Sequence, residues 1–273
     1  MKDGPKPLIT SPHNPYVKDA ARLRDRRHRE KQGRILIDGA RELRRAMDAG
    51  VRLVEVFVCE PLCSSGDAQR LLVALAHSGC EVLPVNEGVF QKLAFGQRAE
   101  GMLGVAETPR PTLSSLALPE NALVAVLEGV EKPGNVGAVL RSADAAGVSA
   151  VMVADGRTDL YNPNAIRASL GTIFTMPLCE AAGGEVLEHL RRRKCSLVAA
   201  RVDGAVPYTA VDYRGPTAIV LGSEAAGLSS LWCSDDIQTV CLPMLGAADS
   251  LNVSVTAAVL FYEALRQRNA ATT

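Results

Sequence analysis

The chain has 273 residues, 47% hydrophobic and 22% charged, with 30 Lys/Arg balanced by 30 Asp/Glu. That length suits two medium domains with proper cores, and the composition excludes disordered and fibrous chains. Without an apolar signal core or a run approaching ~18 apolar residues, secretion and membrane spanning are not expected.

In chain order, the first expected element is a basic helix from Val17 to Lys31, followed by a short buried strand at Arg34–Asp38. A helix from Arg41 to Ala49 ends before Gly50, a residue suited to closing helices. A strand at Leu53–Val58, a helix at Ala68–Ser78 and a strand at Glu81–Val85 complete a small α/β domain. From Glu107 to Glu120 periodicity fades, and Pro109, Pro111 and Pro119 bracket a Thr/Ser/Leu stretch. The expected division is therefore a first domain over 1–106, a linker over 107–121 and a second domain over 122–273.

Alternation then restarts, with strands at Leu123–Leu127 and Ala150–Ala154 around a helix at Asn135–Ala146. Helices at Asn164–Phe174 and Glu185–Lys194 lead to strands at Leu197–Ala200, Thr217–Leu221 and Thr239–Leu242. A closing helix spans Leu251 to Gln267, and Leu251, Val255, Ala258, Val259, Tyr262 and Leu265 share one face, expected to be core.

Seven cysteines without a CxxC pair read as reduced, mostly buried thiols in a cytoplasmic protein, with no zinc site expected. The neutral total conceals an asymmetry. Residues 1–45 carry thirteen Lys/Arg against six Asp/Glu, and a second basic run lies at Arg191–Lys194. Such a basic end can hold a polyanion locally; a solvated surface face accounts for the same charges equally well.

Three loops of the second domain follow strands, where open α/β sheets bind ligands. The first is Glu131–Gly137, running into a helix with Asn135 as expected N-cap. Arg141 lies among Val136, Val139, Leu140 and Ala143, so it either snorkels to the surface or faces a phosphate or carboxylate. The second is Leu221-Gly-Ser-Glu-Ala-Ala-Gly227, whose glycines allow close backbone approach and whose Glu224 could accept hydrogen bonds. A plain turn with an exposed Glu fits it equally. The third runs from Leu242 to Ser254, with Ser250 read as the cap of the last helix and Asn252 unexplained by capping. No GxGxxG follows a strand, no GxxxxGK[ST] occurs, and the four His (13, 28, 77 and 189) lie far along the chain from these loops.

Together, Asn135-Val-Gly-Ala-Val-Leu-Arg141, Leu221–Gly227 and Leu242-Pro-Met-Leu-Gly246 with Asp249-Ser-Leu-Asn-Val-Ser-Val255 resemble the three motifs of the SpoU/TrmH family, in order and spacing. Lys31–Gly39 resembles the substrate-binding domain of many members, similar in fold to ribosomal protein L30e. The resemblance implies an L30e-like α/β domain followed by an α/β domain with a deep trefoil knot, of the SPOUT type. It implies S-adenosylmethionine held by Leu221, Gly222, Leu242, Met244 and Leu251, and active-site roles for Asn135, Arg141, Glu224, Ser250 and Asn252. Asp249 follows an insert where the pattern is loose.

The implied activity is methylation of a ribose 2′-hydroxyl in RNA by a homodimer with its active site near the interface. Ribosomal RNA is favoured over transfer RNA, and 23S rRNA in particular. With aromatics at 4%, RNA contact would rest on cations, for which Arg22, Arg26, Arg27, Lys31 and Arg34 are candidates. A methyltransferase acting on a base, or an RNA-binding or ribosome-assembly protein of the same fold, are the rivals. Arg141 is the family's proposed base, yet a guanidinium holds its proton above pH ~12. It either loses that proton in a dry pocket or grips a phosphate while water or phosphate takes the proton.

Overall fold

The computed structural model describes residues 6–94 and 100–270. Two compact units emerge: Met1–Pro109 together with Tyr161–Thr175, and Arg110–Leu160 together with Met176–Thr273.

In chain order the first unit contains α1 (Pro15–Arg22), α2 (Arg26–Gln32), β1 (Arg34–Asp38), α3 (Ala40–Asp48) and β2 (Leu53–Val58). It continues with α4 (Gly66–Ser78), β3 (Glu81–Pro84), α5 (Glu87–Leu93) and β4 (Met102–Glu107). The four strands pair in the order β1-β4-β2-β3, parallel only between β2 and β3. Two elements, α5 and β4, carry no sequence expectation.

The basic helix expected at 17–31 is two helices. Asp25 accepts the Arg27 N–H at 2.8 Å and so caps α2, which stops the first helix before it. Buried Arg29 donates to the carbonyls of Leu23 and Arg24 at 2.6 and 2.8 Å, fixing the turn. Part of the basic character at this end is thus committed to backbone.

The second unit contains β5 (Leu123–Glu128), α6 (Pro133–Ala145) and β6 (Ala150–Ala154). The chain then gives α7 (Pro163–Ala168) and α8 (Thr172–Thr175) to the first unit, where they pack on β1 and α3. One helix was expected at 164–174. Leu170 and Gly171, with φ of 55° and 85°, break it. Back in the second unit come β7 (Leu178–Ala181), α9 (Gly183–Arg192), β8 (Ser196–Ala200), β9 (Val206–Pro207), β10 (Thr217–Leu221), β11 (Ile237–Cys241) and α10 (Val253–Ala270). Its seven strands are all parallel, in the order β7-β6-β5-β10-β8-β11-β9.

The central strands β5, β6 and β10 are buried along their length, as continuous apolar runs in a parallel sheet should be. Mixed α/β architecture in both units agrees with the expected fold class. α10 corrects a detail of it. The helix begins at Val253 and buries Val253, Ala257, Leu260, Phe261 and Ala264. The face expected to be core is the open one, with Val255 and Tyr262 47% and 51% exposed. Both faces are apolar, so periodicity alone could not choose between them.

Candidate active site

The loop after β10 is shaped by backbone sterics. Ser223 and Gly227 exchange N–H···O bonds of 3.1 and 3.0 Å, and Gly227 sits at φ 66°. A Cβ on Gly222 would meet the backbone of Gly227 and come within 2.6 Å of Leu228 N, so only glycine lets the chain cross itself here. The Ser223 hydroxyl accepts the Ala226 N–H at 3.1 Å, closing the loop further.

Glu128, at the carboxyl end of β5, had drawn no attention in the sequence. It is 6% exposed, and its two oxygens accept the Ser229 N–H at 2.7 Å and the Ser229 hydroxyl at 2.6 Å. It therefore ties the end of the 222–228 loop to the neighbouring strand. The available signal was an acidic residue ending an otherwise apolar strand, Leu-Val-Ala-Val-Leu-Glu.

Helix α6 begins before Asn135. Lys132 occupies the N-cap position and Pro133 the first turn, so Asn135 is not the cap. Its side chain is instead engaged in a relay. Asn135 Nδ2 donates to Glu224 Oε1, and Asn135 Oδ1 accepts from Asn252 Nδ2 at 3.2 Å. Asn252 Oδ1 in turn accepts from the Ser254 N–H and hydroxyl at 2.9 and 2.7 Å, at the start of α10. Asn252, not Ser250, is thus the capping residue of α10. One asparagine does both jobs, because its amide faces the relay while its carbonyl faces the helix N-terminus. Asn135, Glu224 and Asn252 come together although they are far apart in sequence.

Beside the relay is a cavity of about 540 Å³. Leu221, Gly222, Leu242, Met244 and Leu251 line it, as do Glu224 and Ser250. Arg201 and Asp203 form part of the wall, paired at 2.8 Å, and this bond holds the Arg201 guanidinium above and the Asp203 carboxyl below their usual ranges. With Arg201 neutralised by Asp203, Glu224 and Asp249 leave the lining net negative. S-adenosylmethionine fits on three counts: the volume is in the range of cofactor pockets, the walls offer apolar side chains and close backbone, and acidic groups suit a sulfonium. When bound, that group would supply an electrophilic methyl carbon.

Arg141 stays apart. At about 100° per residue it lies about 240° round α6 from Asn135, exposed, and it makes no hydrogen bond or ion pair with any described residue. In the first unit, Arg22 and Arg26 are exposed but engaged with Asp19 at 3.1 Å and Glu30 at 2.7 Å. Arg27 and Lys31 are exposed four residues apart on α2, and Arg34 is half-buried on β1.

The chain is similar to known proteins in both sequence and fold. The SpoU rRNA Methylase family matches residues 122–262, and the MRM3-like substrate binding domain matches residues 14–104. The 23S rRNA (guanosine-2′-O-)-methyltransferase RlmB of Bordetella pertussis is 35% identical over 207 residues, 73% of this chain and 84% of its own length. A crystal structure of an RNA 2′-O ribose methyltransferase superposes with a TM-score of 0.85 at 44% identity, covering 96% of this chain and 99% of that one. The SpoU methyltransferase AviRb of Streptomyces viridochromogenes, in complex with the cofactor AdoMet, gives 0.84 at 29% identity, covering 94% and 99%.

Proposed function

Since the chain belongs to the SpoU rRNA Methylase family, we propose that it transfers the methyl group of S-adenosylmethionine to a ribose 2′-hydroxyl of ribosomal RNA, within 23S rRNA. The observation that carries this reading is the Glu224–Asn135–Asn252 relay beside a net-negative cavity of cofactor size. A module that only binds RNA has no need of a polar relay converging on such a cavity.

Each residue has a task in this reaction. The 222–228 loop and Leu242, Met244 and Leu251 hold the cofactor, with Glu128 fixing the loop through Ser229. Asn135 and Asn252 hold Glu224 in place, and Ser250 at the cavity rim offers a hydroxyl to the substrate. S-adenosylmethionine held by these residues would supply the methyl group and leave as the neutral thioether, while the proton of the 2′-hydroxyl would pass to water or to a phosphate oxygen. Arg141, without a described partner, grips the adjacent phosphate with its guanidinium and stabilises the oxygen as it becomes charged.

That task needs Arg141 brought to a cavity it does not face in its own chain. A homodimer formed on the open apolar face of α10, through Val255 and Tyr262, would supply it from a second copy. Arg27 and Lys31 on α2 serve as RNA phosphate contacts, together with Arg22, Arg26 and Arg34. We further propose that the path through β10, β11 and α10 is the family's trefoil knot, that the units divide functionally at 107–121, and that the protein works in the cytoplasm, where its seven free thiols also belong.

Incubation with S-adenosylmethionine and protein-free 23S rRNA, then nucleoside mass spectrometry, tests the reaction. A 2′-O-methylnucleoside is expected; a base-methylated product would overturn the ribose assignment. Light scattering is expected to give a dimer that Tyr262→Glu dissociates, and a monomeric wild type would contradict the shared site.

A further inference from the structure

Arg157 stands outside the roles assigned above. It follows β6 at the same carboxyl end of the sheet as Glu128–Glu131 and the 222–228 loop. The base of its loop is anchored: Asp155, at φ 48°, accepts the Gly183 N–H at 3.1 Å, and a Cβ on Gly156 would collide with the Glu180 carboxylate. The backbone is held while the side chain reaches outward, 62% exposed.

Gly129 lies between this guanidinium and the catalytic loop. The Cβ position of Gly129 is 3.8 Å from Arg157 Nε and 3.9 Å from Ser223 Cβ, and Ser223 directly precedes Glu224. The bond recorded for Arg157 is from Nη1 to Glu131 Oε1 at 3.1 Å, with Glu131 itself 53% exposed. Exposed pairs of this kind are weak and readily exchanged. A phosphate accepts two parallel N–H bonds from a guanidinium and is the stronger partner. Other arginines of this unit are held by two or more bonds: Arg191, Arg201 and Arg214 each grip both oxygens of Asp236, Asp203 and Asp212, and Arg268 donates to backbone carbonyls.

We propose that Arg157 binds a backbone phosphate of the RNA substrate beside the target ribose, with Glu131 as the counterion that the phosphate displaces. This rests on the functional reading above and adds to it a substrate contact separate from Arg141. Phosphate contacts position a nucleic acid without reading its sequence, so Arg157 governs how the ribose is presented rather than which base is chosen. Glu131 keeps the guanidinium at the rim in the free enzyme and weakens binding to any single strand offered.

The test uses the full chain with protein-free 23S rRNA as probe. Arg157→Ala is expected to raise KM for the RNA about tenfold with kcat within about twofold, and to lower the slope of log K against log salt by about 0.7–0.9, one phosphate contact. Glu131→Gln is expected to tighten RNA binding about threefold, and S-adenosylmethionine affinity is expected to stay the same in both. An unchanged KM and salt slope in Arg157→Ala, or weaker RNA binding in Glu131→Gln, would overturn the proposal. A wild-type protein that binds the RNA but transfers no methyl group would sink the functional reading instead, leaving the salt slope to decide the role of Arg157.

Discussion

Replacing Glu128 by alanine removes both hydrogen bonds that hold Ser229, of 2.7 and 2.6 Å, from a carboxylate only 6% exposed. Hydrogen bonds to a charged group contribute roughly 1.5–3 kcal/mol each. Ser229 itself is exposed, so water recovers part of the loss for its freed N–H and hydroxyl. About 2 kcal/mol remains, a factor of about 30 in an equilibrium constant. The loss falls on the 222–228 loop, because β5 keeps its pairing with β6 and β10. Cofactor affinity should therefore drop by up to about 30-fold, as the binding-competent loop becomes a minor state. Titration calorimetry with S-adenosylmethionine measures this, and Trp232 reports on the fold. It is the single tryptophan of the chain, fully buried three residues after Ser229. Glu128→Gln, which keeps the volume and one acceptor, should fall between. An affinity within twofold of wild type in Glu128→Ala would refute the claim that this carboxylate orders the loop.

Other perturbations follow from the same geometry. Gly222→Ala places a methyl group against the Gly227–Leu228 backbone, so S-adenosylmethionine binding by calorimetry should be abolished while the buried environment of Trp232 persists. Retained binding would mean that the crossing can open. Glu55, buried in β2, has its carboxyl pushed up to about 7 by burial, opposed by Arg34 and reinforced by Glu81 and Asp19. Between pH about 4.5 and 7 the folded chain holds a proton that the unfolded chain has released, so stability falls as pH rises through that window. Glu55→Gln should accordingly stabilise by about 2–3 kcal/mol at pH 8 and by almost nothing at pH 4.5 in urea melts. Equal effects at both pH values would show that Glu55 is not held in this way.

The parts of the molecule that sequence revealed are those where a residue type contradicts its surroundings. Ala150–Ala154 and Thr217–Leu221 stand out as strands because central strands of a parallel sheet are apolar throughout. Gly222 and Glu224 stand out because an apolar strand ends there in small and polar residues, and Asn252 because a cap at Ser250 leaves it without a task. What was hidden depends on contacts distant in sequence. β4 carries Gly104 where a Cβ would strike the Leu43 side chain, and a glycine inside a strand reads as a break. Asn135 and Ser250 looked like caps because caps are local signals, whereas the Asn135 bond to Glu224 spans 89 residues. The open face of α10 reads as core because both faces of this helix are apolar, and periodicity alone does not choose between them. Glu128 reads as the polar end of a strand until Ser229 is found against it.

The proposed reaction is ribose methylation that depends on Arg141. The most direct test is primer extension at low nucleotide concentration on total RNA from a strain lacking this protein, its parent, and the deletion strain carrying Arg141→Ala. The account predicts one 2′-O-methyl stop in 23S rRNA that is present in the parent, absent from the deletion strain and not restored by Arg141→Ala. A stop that persists without the protein, or returns in full with alanine at position 141, would contradict it.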